Sequence, residues 1–229
     1  MLEQTFEALK TYDWGVDRHV LDPIDEAVVK TRNDAAARKE LESQLLAVLQ
    51  SSAPRDAKDF VCRQLRTMGT AASVPALEQL LPNAELSHMA RYALERIPEP
   101  QAGQALERQL LKLNGQLKIG VISSLGTRGQ GVSLLRPLLQ DSDEAVARAA
   151  AIALGRIASS DASKALASTK PRPALTPVIA DASMACAEKL LAAGQAKEAT
   201  AIYQRLLKGN PPELIRLSAE RGLKACQTA

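Results

Sequence analysis

The chain has 229 residues, enough to bury either one large core or a continuous array of small ones. Aromatic residues make up only 3% while Ala and Leu recur throughout, so the core must be aliphatic, which favours close helix-on-helix packing and an all-α fold over pleated strands. The net charge of +3 comes without the single-sign runs of a nucleic-acid tail, no stretch reaches the roughly 18 to 20 apolar residues of a membrane span, and Cys62, Cys186 and Cys226 show neither disulfide nor metal spacing and read as buried thiols.

Residues 1–50 carry 6 Lys/Arg against 10 Asp/Glu, so the N-terminal fifth is acidic and the remainder basic. The N-terminus MLEQTFEALK is amphipathic, unlike a charged head followed by an apolar run, and the sequence as written reads as cytoplasmic, or exported if Met1 replaces a removed leader. LEQTFEALKTY reads as a first helix broken by Gly15, IDEAVVKTRND as a second and ARKELESQLLAVLQS as a third. Asp22 followed by Pro23 is a helix-start signal, with Asp22 as the N-cap. Between the first two helices, YDWGVDRHVLDP gathers Trp14, His19 and several acids. With one His, and acids belonging to a turn and a cap, a structural role is favoured over a metal or acid-base site: Trp14 would cover the open end of a helical array.

From residue 57 the chain repeats. AKDFVCRQLRTM (57–68), LSHMARYALERI (86–97), LKIGVISSLGTR (117–128) and VARAAAIALGRI (146–157) align without a gap on a shared Leu at 65, 94, 125 and 154, at spacings of 29, 31 and 29. The first apolar residue, the fifth and this Leu fall on one helical face. A second helical family lies between: SVPALEQLL (73–81), AGQALERQLLKL (102–113), GVSLLRPLL (131–139) and SKAL (163–166). The unit is therefore a helix pair of about thirty residues that hides its apolar face only by stacking on neighbours. GTRGQG (126–131) lacks the preceding strand and the glycine order of a phosphate loop and falls where every repeat turns.

After residue 168 the periodicity breaks, and the three Pro of TKPRPALTPVIADA (169–182) predict an irregular insertion. AEKLLAAGQAKEATAIYQRLLKGNP (187–211) is similar to a tetratricopeptide unit, with Gly194, Ala199, Tyr203, Leu207 and Pro211 in place, and ELIRLSAERGLKAC (213–226) returns to the earlier pattern.

DSDEAVARAAAIALGRI (141–157) resembles the inner helix of a HEAT repeat, and LLRPLLQD (134–141) the end of the preceding outer helix with its Pro. The position after the first apolar residue, often Arg in that family, holds Lys58, Ser87, Lys118 and Ala147, with Arg216 matching in the last unit. The resemblance implies a right-handed α-solenoid over 1–229: capping helices in 1–55, regular repeats in 56–168, the insertion at 169–182, and tetratricopeptide- or HEAT-like helices in 183–229. It also implies a non-catalytic scaffold without cofactor or metal. The side of the inner helices away from the core carries Asp59, Arg63, Arg66, His88, Tyr92, Arg96, Ser123, Thr127, Arg148, Ile152 and Arg156. Of these Arg63, Arg66, His88, Tyr92, Arg96, Arg148, Ile152 and Arg156 are the candidate partner-binding residues, lining a concave face for a protein or peptide of acidic character. The rival is a HEAT-like alkylpurine DNA glycosylase, whose family resemblance requires Trp and Asp in the groove, whereas the one Trp here lies near the end of the array; nucleic acid is the disfavoured partner.

Overall fold

The computed structural model describes residues 2–170, 172–208 and 211–228. Among them the regular structure is helical, with no strand. The helices fall into two compact units, Met1–Leu113 and Asn114–Ala229.

The first unit holds α1 (Leu2–Lys10), α2 (Asp22–Lys30), α3 (Ala35–Gln50), α4 (Arg55–Met68), α5 (Val74–Leu80), α6 (Ser87–Leu94) and α7 (Pro100–Leu110). The two helical families separate into two layers. One runs α2, α4, α6 and the other α1, α3, α5, α7, each helix packing on its neighbour in the same layer. Ala57, Val61 and Leu65 of α4, and Leu86, Ala90 and Leu94 at α6, are buried at 7% exposure or less, as their shared apolar face requires. Glu42 of α3 fastens that helix to the α4–α5 turn, a buried carboxylate that accepts from the backbone N–H and hydroxyl of Thr70 (2.8 and 3.1 Å) and from the hydroxyl of Ser73. A buried charge persists when several donors satisfy it in this way.

The second unit holds α8 (Gly115–Arg128), α9 (Val132–Leu138), α10 (Glu144–Ile157), α11 (Ser160–Ala167), α12 (Thr176–Ala192), α13 (Ala196–Lys208) and α14 (Glu213–Thr228). Here α8, α10 and α12 form one layer, α9 and α11 pack behind it, and α14 lies against both α12 and α13. The α8–α9 turn is made by Gly129 (φ 73°) and Gly131 (φ 82°), both left-handed. Asp143 caps α10, its carboxylate accepting from the N–H of Ala145 at 2.9 Å.

Three local expectations change. Asp22 is the first residue of α2, not its N-cap: the preceding 3₁₀ turn, Arg18–Leu21, leads straight into the helix and is itself capped by Asp17 on the His19 N–H. Trp14 is 92% exposed, so it covers none of the described residues, whereas Phe6 and Leu9 of α1 are buried. The stretch 169–182 is irregular only to Leu175. Pro177 sits in the first turn of α12, where the missing N–H is not needed, and helix continues to Ala192. The expected helix, turn and helix around Gly194 are present, with Ala199 and Tyr203 buried, but such a pairing belongs as well to one repeat type as to the other.

Candidate interaction surface on the exposed inner helices

In the first unit the exposed face of α4 and α6 presents Asp59, Arg63, Arg66, His88, Tyr92 and Arg96. Arg63 donates to Asp59 through Nη2 (3.0 Å) and Nε (3.3 Å), so its charge is already matched within the helix. The Arg66 guanidinium lies 4.3 Å over the centroid of the Tyr92 ring, a cation–π contact bridging α4 and α6. His88 faces Arg91 at 3.4 Å. Arg96 is exposed, and among the described residues its side chain pairs with no acid.

In the second unit the corresponding layer is α8, α10 and α12. Arg156 donates to the Thr127 hydroxyl at 3.1 Å, and the Lys189 ammonium donates to the Arg156 carbonyl at 2.6 Å, so α12 is clipped to α10 at this edge. Arg148 is exposed, and Ile152 is 45% exposed between the two arginines. A groove of about 610 Å³ runs between α10 and α12, lined by Arg148, Ile152 and Arg156 and, from α12, by Val178, Ala185 and Lys189. Its floor is low because Gly155 and Ala182 bring the two backbones into contact.

Thus each unit gathers its share of the expected face on one layer. What the periodicity did not find is α12's contribution. Asp181 and Glu188 also line the groove, so α12 brings two acids beside Lys189, opposite the α10 arginines. The spacing of 29 would have located Asp181, which stands 29 residues after Ile152.

The other candidates resolve structurally. In YDWGVDRHVLDP, Arg18 binds Asp22 (2.9 Å) and Asp25 (2.6 Å) and lies 5.2 Å from the Phe60 ring, clamping α2 to α4. His19 Nδ1 meets Asp22 at 2.9 Å, and that hydrogen bond raises its pKa above the usual imidazole value. In GTRGQG the N–H groups of Gly129 and Gln130 bond to the carbonyls of Gly126 and Leu125, leaving neither free for a phosphate. Burial pushes the Cys62 thiol up to about 12 and the Cys186 thiol up to about 11, values that keep both unreactive, whereas Cys226 is only half-buried, contrary to the expectation for all three. Among the described residues no three His, Cys, Asp or Glu side chains gather as metal ligands, and no helix is long and apolar enough to cross a membrane.

Residues 109–176 match the family model described as HEAT repeats. No curated protein matches the sequence. Among solved structures the chain is similar to a crystal structure of an engineered protein, at 18% identity over 99% of this chain and 68% of that one, with a TM-score of 0.45. It is also similar to human deoxyhypusine hydroxylase in complex with glycerol, at 15% identity over 100% of this chain and 99% of that one, with a TM-score of 0.36. Likenesses this distant carry nothing about activity.

Proposed function

We propose, from the premise that this chain carries HEAT repeats, that it is a non-catalytic interaction module whose exposed inner-helix face holds a protein or peptide partner. The observation that carries the reading is the α10–α12 groove: a shallow apolar floor of Val178, Ala182 and Ala185, a half-exposed Ile152, and charged side chains along both edges. Apolar contact area ringed by polar groups is the composition of a protein interface. The groove suits an amphipathic segment that sets its apolar side on Ile152, an acidic edge against Arg148 and Arg156, and a basic or polar edge against Asp181 and Glu188. In the first unit Arg66 and Tyr92, already packed on one another, form a rigid platform, and Arg96 offers its charge freely. The partner is therefore acidic on one side rather than acidic throughout.

A base-handling role is less well supported. Tyr92 has its ring face occupied by Arg66, and the exposed Trp14 belongs to the turn before α2 and not to the repeat helices, so neither places a free stacking surface among the candidate residues of α4, α6 and α10.

The test is charge reversal. Arg63, Arg96, Arg148 and Arg156 are all exposed, so changing them together to Glu leaves the fold intact, at about 0.5 kcal/mol or less at Arg96, Arg148 and Arg156 and somewhat more at Arg63, which gives up its pairing with Asp59. Partners captured by the wild-type protein are lost by the quadruple variant; recovery of the same partners by the folded variant would overturn the assignment.

A further inference from the structure

The turn between α1 and α2 gathers three exposed apolar side chains: Trp14 is 92% exposed, Val16 46% and Val20 41%. A single apolar residue on a surface needs no explanation, whereas three on one short turn mark a contact surface. The turn is held in shape. Gly15 adopts φ 87°, the N–H groups of Val16 and Val20 donate to the carbonyls of Asp13 and Asp17 at 3.2 and 3.3 Å, and Arg18 anchors it through Asp22 and Asp25. A surface ordered beforehand loses less entropy on binding.

Acids flank the indole. Asp13 accepts from the Trp14 N–H at 2.9 Å and Asp17 from the His19 N–H at 3.0 Å, and among the described residues neither carboxylate forms an ion pair. The one arginine of the turn, Arg18, is already taken by Asp22 and Asp25. The α10–α12 groove presents the converse: a half-exposed Ile152 on an apolar floor, and Arg148 and Arg156, which pair with no acid among the described residues. Lys189 stands beside Glu188, so the cations lining the groove, Arg148, Arg156 and Lys189, outnumber the acids Asp181 and Glu188.

We propose that the occupant of the groove is a second copy of this chain, whose Trp14 turn sets its indole on Ile152 with Asp13 and Asp17 toward Arg148 and Arg156. The inference rests on the groove reading above and names its partner. Tryptophan is the residue type most often found to anchor an interface, and guanidinium groups at its edge suit both the ring and the flanking carboxylates. The contact joins two different surfaces, so it builds a ring or an open chain of copies. One tryptophan buries ~150–250 Å², and a turn of this size stays below the ~1,200 Å² of a stable interface, which makes the association weak. In dilute solution the copies separate and Trp14 is solvated.

The experiment follows the full chain by sedimentation velocity from micromolar to millimolar concentration. Wild type associates as the concentration rises, and its tryptophan emission shifts to the blue in step. Trp14→Ala removes the anchor, and the double variant Arg148→Glu with Arg156→Glu makes the α10 edge acidic; each weakens association about tenfold or more. All three side chains are exposed, so both variants stay folded. Mixing the two restores a one-to-one complex, because the first keeps an intact groove and the second an intact turn. Only the second then contains tryptophan, so a blue shift on mixing reports entry of its turn into the other's groove. A wild type that stays monomeric at millimolar concentration, association untouched by Trp14→Ala, or the absence of a complex on mixing would each overturn the proposal. A monomeric chain whose Ile152 cross-links to a different protein would sink the second copy and leave the groove reading standing. Association that is lost with Trp14→Ala but survives the double arginine variant would sink the proposal by placing the turn outside the groove.

Discussion

Gly155 of α10 and Ala182 of α12 touch through their backbones: a methyl group on Gly155 would stand 2.8 Å from the Ala182 Cα. One repeat earlier Gly126 of α8 meets Ala153 of α10 in the same way, at 2.9 Å. Both glycines and both alanines are separated by 29 residues, so the repeat register runs unbroken through the proline-rich stretch into α12. Replacing either glycine with Ala gains up to about 1 kcal/mol of helix propensity. It also forces two backbones apart, an overpacking that costs about 1–3 kcal/mol. Both variants are expected to melt below wild type, and a higher melting temperature for Gly155→Ala would refute the close approach.

That register explains what was legible in the sequence. The helix pairs from Ala57 to Ile157 were readable because each inner helix keeps its Leu, at 65, 94, 125 and 154, on one buried stripe. In α12 the equivalent position is Ser183, buried at 3%, and Leu175 takes the place of Val146. A small polar residue in a core column and a proline in a first turn together look like an insertion, although neither disturbs the helix. The face of α4, α6 and α10 was legible for the same reason its core was. The acids of α12 were hidden with α12 itself.

Glu42 makes a sharper prediction for the first unit. Its carboxylate is the acceptor for the Thr70 N–H and for two hydroxyls, in a place solvent does not reach. Glu42→Ala leaves those donors unmatched and costs about 1–3 kcal/mol in chemical denaturation. A loss below about 0.5 kcal/mol, the range of surface substitutions, would show that the latch contributes nothing.

Acid sensitivity follows from Glu78. Arg108 Nε donates to it at 3.0 Å, and this hydrogen bond holds its carboxyl below the usual value of 4.5. A depressed folded pKa gives stability that is fully present above the unfolded value of about 4.5 and is lost as pH falls through the lower folded value. Melting temperatures of wild type and Arg108→Gln should therefore differ at neutral pH and converge in acid. A gap that widens as the pH falls would contradict the linkage.

Trp14, the single tryptophan, reports on its own exposure. Native fluorescence should show a solvated indole, freely quenched by iodide and little shifted on unfolding. Trp14→Ala should change stability by about 0.5 kcal/mol or less. A blue-shifted, protected native emission would place Trp14 under a cover that this structure lacks.

The central claim is that the partner lies on the exposed inner-helix face. It is tested most directly by installing a photo-crosslinking side chain at Ile152 and at Tyr92, with Gln104 and Ser133, exposed on the outer helices α7 and α9, as controls. The account predicts a discrete adduct with one partner from Ile152 and Tyr92 and none from Gln104 or Ser133; adducts confined to Gln104 and Ser133 would contradict it.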